Sequence, residues 1–337
     1  MGRTMYEKYY GLKSNPFAMT PDPQCYFMSE SHREAFAGLS YGIANRRGFM
    51  TLVGEVGTGK TTLLNAILHS LDRSTVTILV RHTTVDREEL LRIILHNLYT
   101  AHGPRQTDNR RKQDGGSISP DSRIARLSRV ELINEFYAFV TGEFMAYQPP
   151  PLLVIDEAQN LSVDVLEEVR LLTNLEDPKT KMLQLVLAGQ PELEEKLLRT
   201  DLRQLRQRIA VSARLEPLSM AETADYIAYR LERAGCPKKD LFTKPAVDAI
   251  WSASKGSPRT INVLCDHALV TAFAMGMKEV EGPAAREAVN DVMCLRLREP
   301  PIRKPGPYLV NHFESRQEAT RDGEELPPSE GQGGRVG

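Results

Sequence analysis

A glycine-rich octapeptide, GEVGTGKT at residues 54–61, constrains the fold of this chain more than any other feature. It fits the pattern GxxxxGK[ST] in full and lies between an apolar run at 49–53 and a helix-like segment at 60–71. Glycines let a backbone wrap around phosphate groups with its N–H groups pointing inward, and the positive end of the next helix faces the same anion. The octapeptide therefore predicts a strand, a phosphate loop and a helix, in that order.

The residues of this loop predict a site for ATP and Mg²⁺. We expect Lys60 to contact the β- and γ-phosphates and the Thr61 hydroxyl to bind Mg²⁺. The predicted nucleotide-binding residues of the loop are Gly54, Glu55, Val56, Gly57, Thr58, Gly59, Lys60, Thr61 and Thr62. The alternative is a tight turn that binds no nucleotide.

A second apolar run, LLVI at 152–155, ends in two acids, Asp156 and Glu157. Two carboxylates at the end of a buried strand are costly unless a cation or a reaction uses them. We expect Asp156 to hold Mg²⁺ through water and Glu157 to act as the general base that polarises an attacking water. The alternative is that both acids cap the next helix. Combined with the phosphate loop, the pair predicts an ATPase.

Strand-like and helix-like segments alternate before about residue 217, and only helix-like segments follow it. Beyond the segments already named, the expected strands are 75–80 and 182–188, and the expected helices are 31–46, 87–99, 127–146, 162–176, 219–235, 244–254, 258–276 and 283–295. The alternation indicates a parallel sheet flanked by helices. The predicted fold class is therefore α/β, a P-loop NTPase with a C-terminal all-helical domain; the family resemblance given below implies the AAA+ type and a role of the helical domain as a lid.

The predicted organisation has four parts. An extended segment rich in proline and aromatic residues occupies 1–30, and the ATPase domain occupies 31–216. Within that domain, 102–123 has almost no apolar residues and is expected to be a polar surface insertion. A helical lid at 217–296 and a tail at 297–337, expected to be disordered, complete the chain.

The composition argues against several classes of protein. A formal net charge of -1 gives no global basic field for nucleic acid. The four cysteines are far apart, so neither a zinc site nor a disulfide framework is indicated. No stretch approaches the ~18 apolar residues of a membrane span, and the N-terminus lacks the apolar core of a signal peptide. We expect a cytoplasmic protein without a transmembrane segment, whose membrane contact, if any, is peripheral at the inner membrane.

Nine stretches in combination carry a family resemblance that extends from about residue 6 to about residue 293. They are YGLKSNPF (10–17), TPDP (20–23), SHREA (31–35), GEVGTGKTT (54–62), IDEAQNL (155–161), LLTNLE (171–176), LAGQPEL (187–193), LRQLRQRI (202–209) and GSPRTIN (256–262). With these stretches the chain resembles the ExeA/GspA-type AAA+ secretion ATPases. Within that group it is most similar to the ATPase associated with exosortase and PEP-CTERM sorting loci.

The resemblance implies roles for further residues. Gln190 matches a polar sensor of the γ-phosphate or the attacking water, with a turn residue before Pro191 as the alternative. Arg259 matches the second sensor, which reaches the nucleotide from the lid, with a surface salt bridge as the alternative. Arg206 and Arg208 lie in the segment that supplies an arginine finger to a neighbouring subunit, and Arg208 is the preferred candidate.

Two groups of residues keep more than one interpretation. The arginines Arg199, Arg203, Arg206, Arg208 and Arg214 contain the candidate finger, but they also fit a solvated face or a surface that binds nucleic acid phosphates. The aromatic residues Tyr10, Phe17 and Tyr26 fit either a position near the adenine or ordinary core packing.

The resemblance also implies partners. The first hypothesis is a homo-oligomeric ATPase that serves a secretion, cell-envelope or exopolysaccharide export assembly. The second is a DNA-associated ATPase similar to the transposition helper ATPases, which would need a basic surface at 105–112 and 199–214. The third is a nucleotide-gated scaffold that binds ATP with negligible turnover. These hypotheses rest on resemblance, because a fold alone does not determine a function.

Overall fold

The computed structural model describes residues 5–18, 26–72, 74–81, 83–102, 123–142, 149–173, 176–177, 180–181, 183–238 and 240–297. Met1–Asn290 form one compact unit and Asp291–Gly337 a second. Residues 103–122 of the predicted insertion, the basic segment 105–112 within it, and residues 298–337 of the predicted tail lie outside the described residues.

A five-stranded parallel sheet forms the centre of the first unit. Its strands are β1 (Phe49–Gly54), β2 (Thr77–Val80), β3 (Leu152–Ile155), β6 (Gln184–Gly189) and β7 (Ile209–Leu215), in the spatial order β2-β3-β6-β1-β7. A separate small hairpin consists of two antiparallel strands of two residues each, β4 (Glu176–Asp177) and β5 (Thr180–Lys181). The phosphate loop follows β1 at the centre of the sheet, and the acid pair follows β3. Since parallel strands end at the same edge, these two features lie at one edge.

Helices cover both faces of the sheet. In chain order, the α-helices of the described residues are α1 (Met5–Tyr9), α2 (Glu30–Ala44), α3 (Lys60–Ser70), α4 (Arg87–His102), α5 (Arg129–Val140), α6 (Val163–Thr173), α7 (Pro191–Leu197), α8 (Arg203–Arg206), α9 (Met220–Arg233), α10 (Lys244–Ser254), α11 (Pro258–Ala274) and α12 (Gly282–Leu297). Alternate residues of the strands face opposite layers of core. Leu153 and Leu185 pack with α4, α5 and α6, whereas Val154 and Val186 pack with α2 and α3.

This architecture confirms the predicted fold class. The four strands and nine helices predicted from sequence are present, with ends shifted by a few residues. The additional elements of the described residues are α1, α7, α8, β7, the small hairpin and a 3₁₀ helix at Ala158–Asn160. The segment predicted to be extended at 1–30 thus contains a short helix, because Met5–Tyr9 precede the first proline.

The N-terminal segment packs against the helices that follow residue 217. The hydroxyl of Tyr6 donates a hydrogen bond to Asp266 Oδ1 over 2.7 Å, and the hydroxyl of Tyr10 donates one to the Met277 carbonyl over 3.0 Å. The rings of Phe17 and Phe242 meet edge to face with centroids 5.9 Å apart. Two of the three aromatic residues expected either near adenine or in a core, Tyr10 and Phe17, are therefore packing residues of the lid.

Two further findings concern cysteines and membrane helices. Cys236, Cys265 and Cys294 are free thiols, and Cys25 lies outside the described residues. Among the helices of the described ranges, none has both the length and the apolar character that crossing a membrane requires.

Candidate active site

The loop between β1 and α3 is stabilised by its own backbone and by the lysine at its end. Lys60 is buried, and its Nζ donates hydrogen bonds to the carbonyls of Gly54 at 2.7 Å and Glu55 at 3.0 Å. Burial lowers the pKa of the Lys60 ammonium, while the carboxylates of Glu157 and Asp156 oppose this effect. The cation thus lies beside the loop and within the field of both acids.

The helix α3 begins at Lys60 without a side-chain cap, because Gly59 is the N-cap residue and its φ is +99°. The first N–H groups of a helix have no partner within that helix, and here no capping side chain supplies one. Free N–H groups at a helix N-terminus and an adjacent ammonium form a site that suits a phosphate group. Val56 and Glu55 are exposed on the loop, whereas Thr58 is buried and its hydroxyl donates a hydrogen bond to the Glu55 carbonyl.

The acid pair meets the loop at Thr61. The Thr61 hydroxyl donates a 2.6 Å hydrogen bond to Asp156 Oδ2, and Asp156 is almost fully buried. Hydroxyl and carboxylate oxygens are the hard ligands that Mg²⁺ prefers, and Mg²⁺ in phosphate sites uses few protein ligands. The described residues contain no cluster of three or more His, Cys, Asp or Glu that could hold a metal ion. The residues present therefore fit Mg²⁺ held together with phosphates.

Glu157 is fixed by two amide side chains. Its backbone has φ 56°, a left-handed conformation that turns the chain away from the strand, and its N–H donates to Asp156 Oδ1. Glu157 Oε2 accepts hydrogen bonds from Gln159 Nε2 at 2.6 Å and Gln190 Nε2 at 3.3 Å. Gln159 Oε1 in turn accepts a hydrogen bond from the Gln190 backbone N–H. Gln190, which precedes α7, thus lies next to the proposed base.

The lid touches the phosphate loop through the N-terminus of α11. The backbone N–H of Arg259 donates to the Gly57 carbonyl over 3.3 Å, and the Ser257 hydroxyl donates to the Val56 carbonyl over 3.4 Å. A Cβ built on Gly57 would lie 2.8 Å from both Ser257 Oγ and Arg259 Cβ, so only glycine allows this approach. The Arg259 side chain is exposed beside the loop.

The chain is similar to known proteins in its sequence and in its fold. Residues 43–197 match the family model described as AAA domain. This part of the chain is therefore similar to AAA domains. General secretion pathway protein A of Aeromonas hydrophila is 37% identical over 276 residues, which cover 82% of this chain and 46% of that protein. The chain thus spans about half the length of this curated relative.

Solved structures share the fold at low sequence identity. Cdc6p from Pyrobaculum aerophilum is 15% identical with a TM-score of 0.58, covering 82% of this chain and 70% of that chain. The ORC2 protein of Aeropyrum pernix in its ADPNP–ADP complexes is 15% identical with a TM-score of 0.56, covering 82% and 71%. A Walker-type ATPase of Pyrococcus abyssi is 18% identical with a TM-score of 0.53, covering 85% and 80%. These likenesses concern the fold alone.

The arginine group that follows the matched residues 43–197 is partly neutralised. Arg199 forms a 2.8 Å ion pair with Asp201, and Arg214 pairs with Glu194. Arg206 Nη1 donates to the Leu198 carbonyl, and Arg208 Nη1 donates to the Thr173 carbonyl. The remaining member of the group, Arg203, is exposed. The five arginines therefore do not form one uniformly unpaired basic face, which weakens the interpretation as a nucleic acid surface.

Two side chains at this site, Gln159 and His32, are not among the site residues predicted from the sequence. Gln159 lies in the stretch IDEAQNL, and its polar amide directly after an acid pair was the available signal. His32 occupies the buried side of α2 with Ala35, Leu39 and Ile43. A titratable residue on an otherwise apolar stripe was the signal there. His32 donates a hydrogen bond from Nε2 to the Thr58 carbonyl.

Proposed function

We propose that this chain is an ATPase of the ExeA/GspA type that binds Mg-ATP through residues 54–62 and hydrolyses it with Glu157 as the general base. The observation that carries the proposal is the hydrogen bond between Thr61 and Asp156, which joins the phosphate loop to the acid pair. The AAA-domain match and the identity to General secretion pathway protein A support it.

In this proposal, each residue of the phosphate and metal site has a specific role. The N–H groups of the loop and of the first turn of α3 bind phosphate oxygens, and Lys60 leaves the Gly54 and Glu55 carbonyls to contact the β- and γ-phosphates. Thr61 and Asp156 would hold Mg²⁺. Bound Mg²⁺ supplies neutralisation of charge on the phosphates. The loss of two carbonyl partners by Lys60 is offset by stronger charge-assisted bonds to phosphate.

The acid and the two amides would carry out proton transfer and sensing. Glu157 accepts a proton from the attacking water, and the amide of Gln190 donates a hydrogen bond that orients the carboxylate or the water. Gln159 completes this arrangement through its bonds to Glu157 and to the Gln190 N–H. Arg259 extends from the lid to the phosphates, so that lid position follows nucleotide state.

We further propose that turnover drives a conformational change in a secretion, cell-envelope or exopolysaccharide export assembly, with the chain acting as a homo-oligomer in which Arg208 is the finger. In its more specific form, the proposal is that the chain serves an exosortase-linked export system and binds peripherally at the inner membrane. Both of these points rest on the sequence resemblance. A DNA-associated role is the alternative, and the ion pairs of Arg199 and Arg214 count against it.

Steady-state hydrolysis of ATP by the purified full chain tests the proposal. The assay is run in buffer, with double-stranded DNA and with inner-membrane vesicles, and Lys60→Ala serves as the blank. Stimulation by vesicles supports the export assignment, and stimulation by DNA alone replaces it with the DNA-associated role. Tight ATP binding without turnover under all three conditions would leave only a nucleotide-gated scaffold.

A further inference from the structure

The His32 side chain of α2 contacts the phosphate loop at Thr58. His32 is not among the residues assigned to nucleotide binding. The residue is buried in the first turn of α2, and only 3% of its surface is exposed. Its Nε2 lies 2.9 Å from the Thr58 carbonyl oxygen, and its Nδ1 lies 2.6 Å from Ser29 Oγ. Thr58 is itself 1% exposed, so water cannot replace either contact.

These two contacts determine the tautomer of the ring. A carbonyl oxygen only accepts hydrogen bonds, so Nε2 must carry the hydrogen that it donates to Thr58. In a neutral imidazole Nδ1 is then an acceptor, and the Ser29 hydroxyl donates to it. Ser29 is also the N-cap residue of α2, which fixes its position relative to the ring. The imidazole is therefore oriented at both nitrogens.

The bond to Thr58 fixes the direction of a peptide group within the phosphate loop. The Thr58 carbonyl and the Gly59 N–H belong to one planar trans peptide, so they point in opposite directions. Because the carbonyl faces His32, the Gly59 N–H faces away from the imidazole and from α2. A reversed peptide would instead turn a carbonyl oxygen toward bound phosphate, where both groups are acceptors.

The loop itself offers little resistance to such a reversal. Gly59 has a φ of +99°, and glycine rotates between positive and negative φ at low cost. Gly59, as the N-cap of α3, makes no side-chain capping bond. The ring also packs against this glycine, since a Cβ built on Gly59 would lie 3.0 Å from His32 Nε2.

We infer that His32 is a positioning residue of the phosphate loop, which holds the Thr58–Gly59 peptide in the orientation that presents the Gly59 N–H to phosphate. This inference rests on the proposed function, because it requires that the loop bind a nucleotide. It assigns His32 an effect on the affinity for phosphates rather than on proton transfer. The KM for ATP therefore changes when the donor is removed, while kcat changes little.

The test compares Mg-ADP affinity by titration calorimetry, and KM and kcat for ATP, in the full chain carrying His32→Ala, His32→Asn or His32→Gln. The Gln amide reaches about as far as Nε2 and can donate to Thr58, whereas the shorter Asn amide cannot. We expect Ala and Asn to lower Mg-ADP affinity about tenfold or more and Gln to restore most of it. His267→Ala, at an exposed histidine of α11, is the matched control and should bind like the unsubstituted chain.

The outcomes separate this inference from the function on which it rests. If the unsubstituted chain binds Mg-ADP, Lys60→Ala does not, and His32→Ala and His32→Asn bind like the unsubstituted chain, the inference is wrong and the proposed function stands. A Gln variant that binds no better than Asn, with equal melting temperatures in the absence of nucleotide, also overturns the inference. If the unsubstituted chain fails to bind ADP or ATP, both proposals are overturned. If His32→Ala does not fold, the Mg-ADP affinities of His32→Asn and His32→Gln test the inference, because both side chains are polar and close in shape to the imidazole.

Discussion

The hydroxyl of Thr61 and the carboxylate of Asp156 form a 2.6 Å hydrogen bond, although 95 positions separate the two residues in the chain. Thr61 lies in the first turn of α3 and Asp156 directly follows β3. Since β6 lies between β1 and β3 in the sheet, the contact depends on the complete parallel arrangement. The phosphate loop and the acid pair, which in combination predict an ATPase, are thereby in direct contact.

Substitution of Asp156 is expected to alter the metal requirement. Asp156→Asn removes one negative charge near Thr61, and we expect the Mg²⁺ concentration for half-maximal turnover to rise about tenfold or more. Titration of Mg²⁺ at saturating ATP measures this. Asp225→Asn, at an exposed aspartate of α9, is the control and should leave the Mg²⁺ titration unchanged. An unchanged Mg²⁺ dependence in Asp156→Asn would remove Asp156 from the metal site.

The amides around Glu157 are expected to affect catalysis more than binding. Gln159→Ala removes a bond to Glu157 and a bond to the Gln190 N–H, so the carboxylate loses its orientation. We expect kcat to fall about tenfold while ATP affinity is retained, and a similar fall for Gln190→Ala. The exposed Gln204→Ala is the control. Equal kcat values for Gln159→Ala, Gln190→Ala and the control would contradict a role for the amides.

Arg208 is expected to act across a subunit interface. Arg208→Ala and Lys60→Ala should each be inactive alone, because the first lacks the finger and the second lacks nucleotide binding. Mixing them lets the Lys60→Ala subunit supply Arg208 to a neighbour that binds ATP, so activity should reappear and depend on total protein concentration. Arg203→Ala, at an exposed arginine of α8, should retain activity alone. No recovery on mixing, together with an active Arg208→Ala, would reject this finger.

The titration of His32 predicts a pH dependence of stability. Burial lowers the pKa of His32, and the Thr58 carbonyl and the Glu222 carboxylate oppose this effect. The unfolded chain protonates this histidine near pH 6.5 whereas the folded chain does so only at lower pH, so its contribution to stability is present above about pH 6.5 and is lost as pH falls through the folded-state pKa. Urea unfolding at about pH 7.5 and about pH 5.5 should show a smaller loss for His32→Gln, which does not titrate there. Equal losses in the two proteins would contradict this.

Much of the fold follows from local patterns in the sequence. Strands such as LLVI at 152–155 are continuous apolar runs, which buried parallel strands require. β7 was not predicted, because several of its residues are exposed at the edge of the sheet and its sequence IAVSARL mixes polar and apolar positions. Its identity as a strand comes from pairing with β1, which is a long-range contact that local composition does not encode.

The residues of the candidate site likewise include some that the sequence predicts and some that it does not. Lys60, Thr61 and Asp156 were predicted because the chemistry of phosphate and Mg²⁺ demands those residue types at those places, and the structure brings them together. His32 and Gln159 act through other residues rather than on the nucleotide itself. Their contacts join separate elements or close a turn, and local sequence patterns do not specify such contacts.

The most direct test of the central claim is the rate of ATP hydrolysis by Glu157→Gln, measured beside its affinity for Mg-ATP. The substitution keeps the size and hydrogen-bonding capacity of the side chain but removes the base. The account predicts unchanged Mg-ATP affinity and a turnover at least about a hundredfold below that of the unsubstituted chain. Full turnover in Glu157→Gln, or no binding of Mg-ATP by either protein, would contradict it.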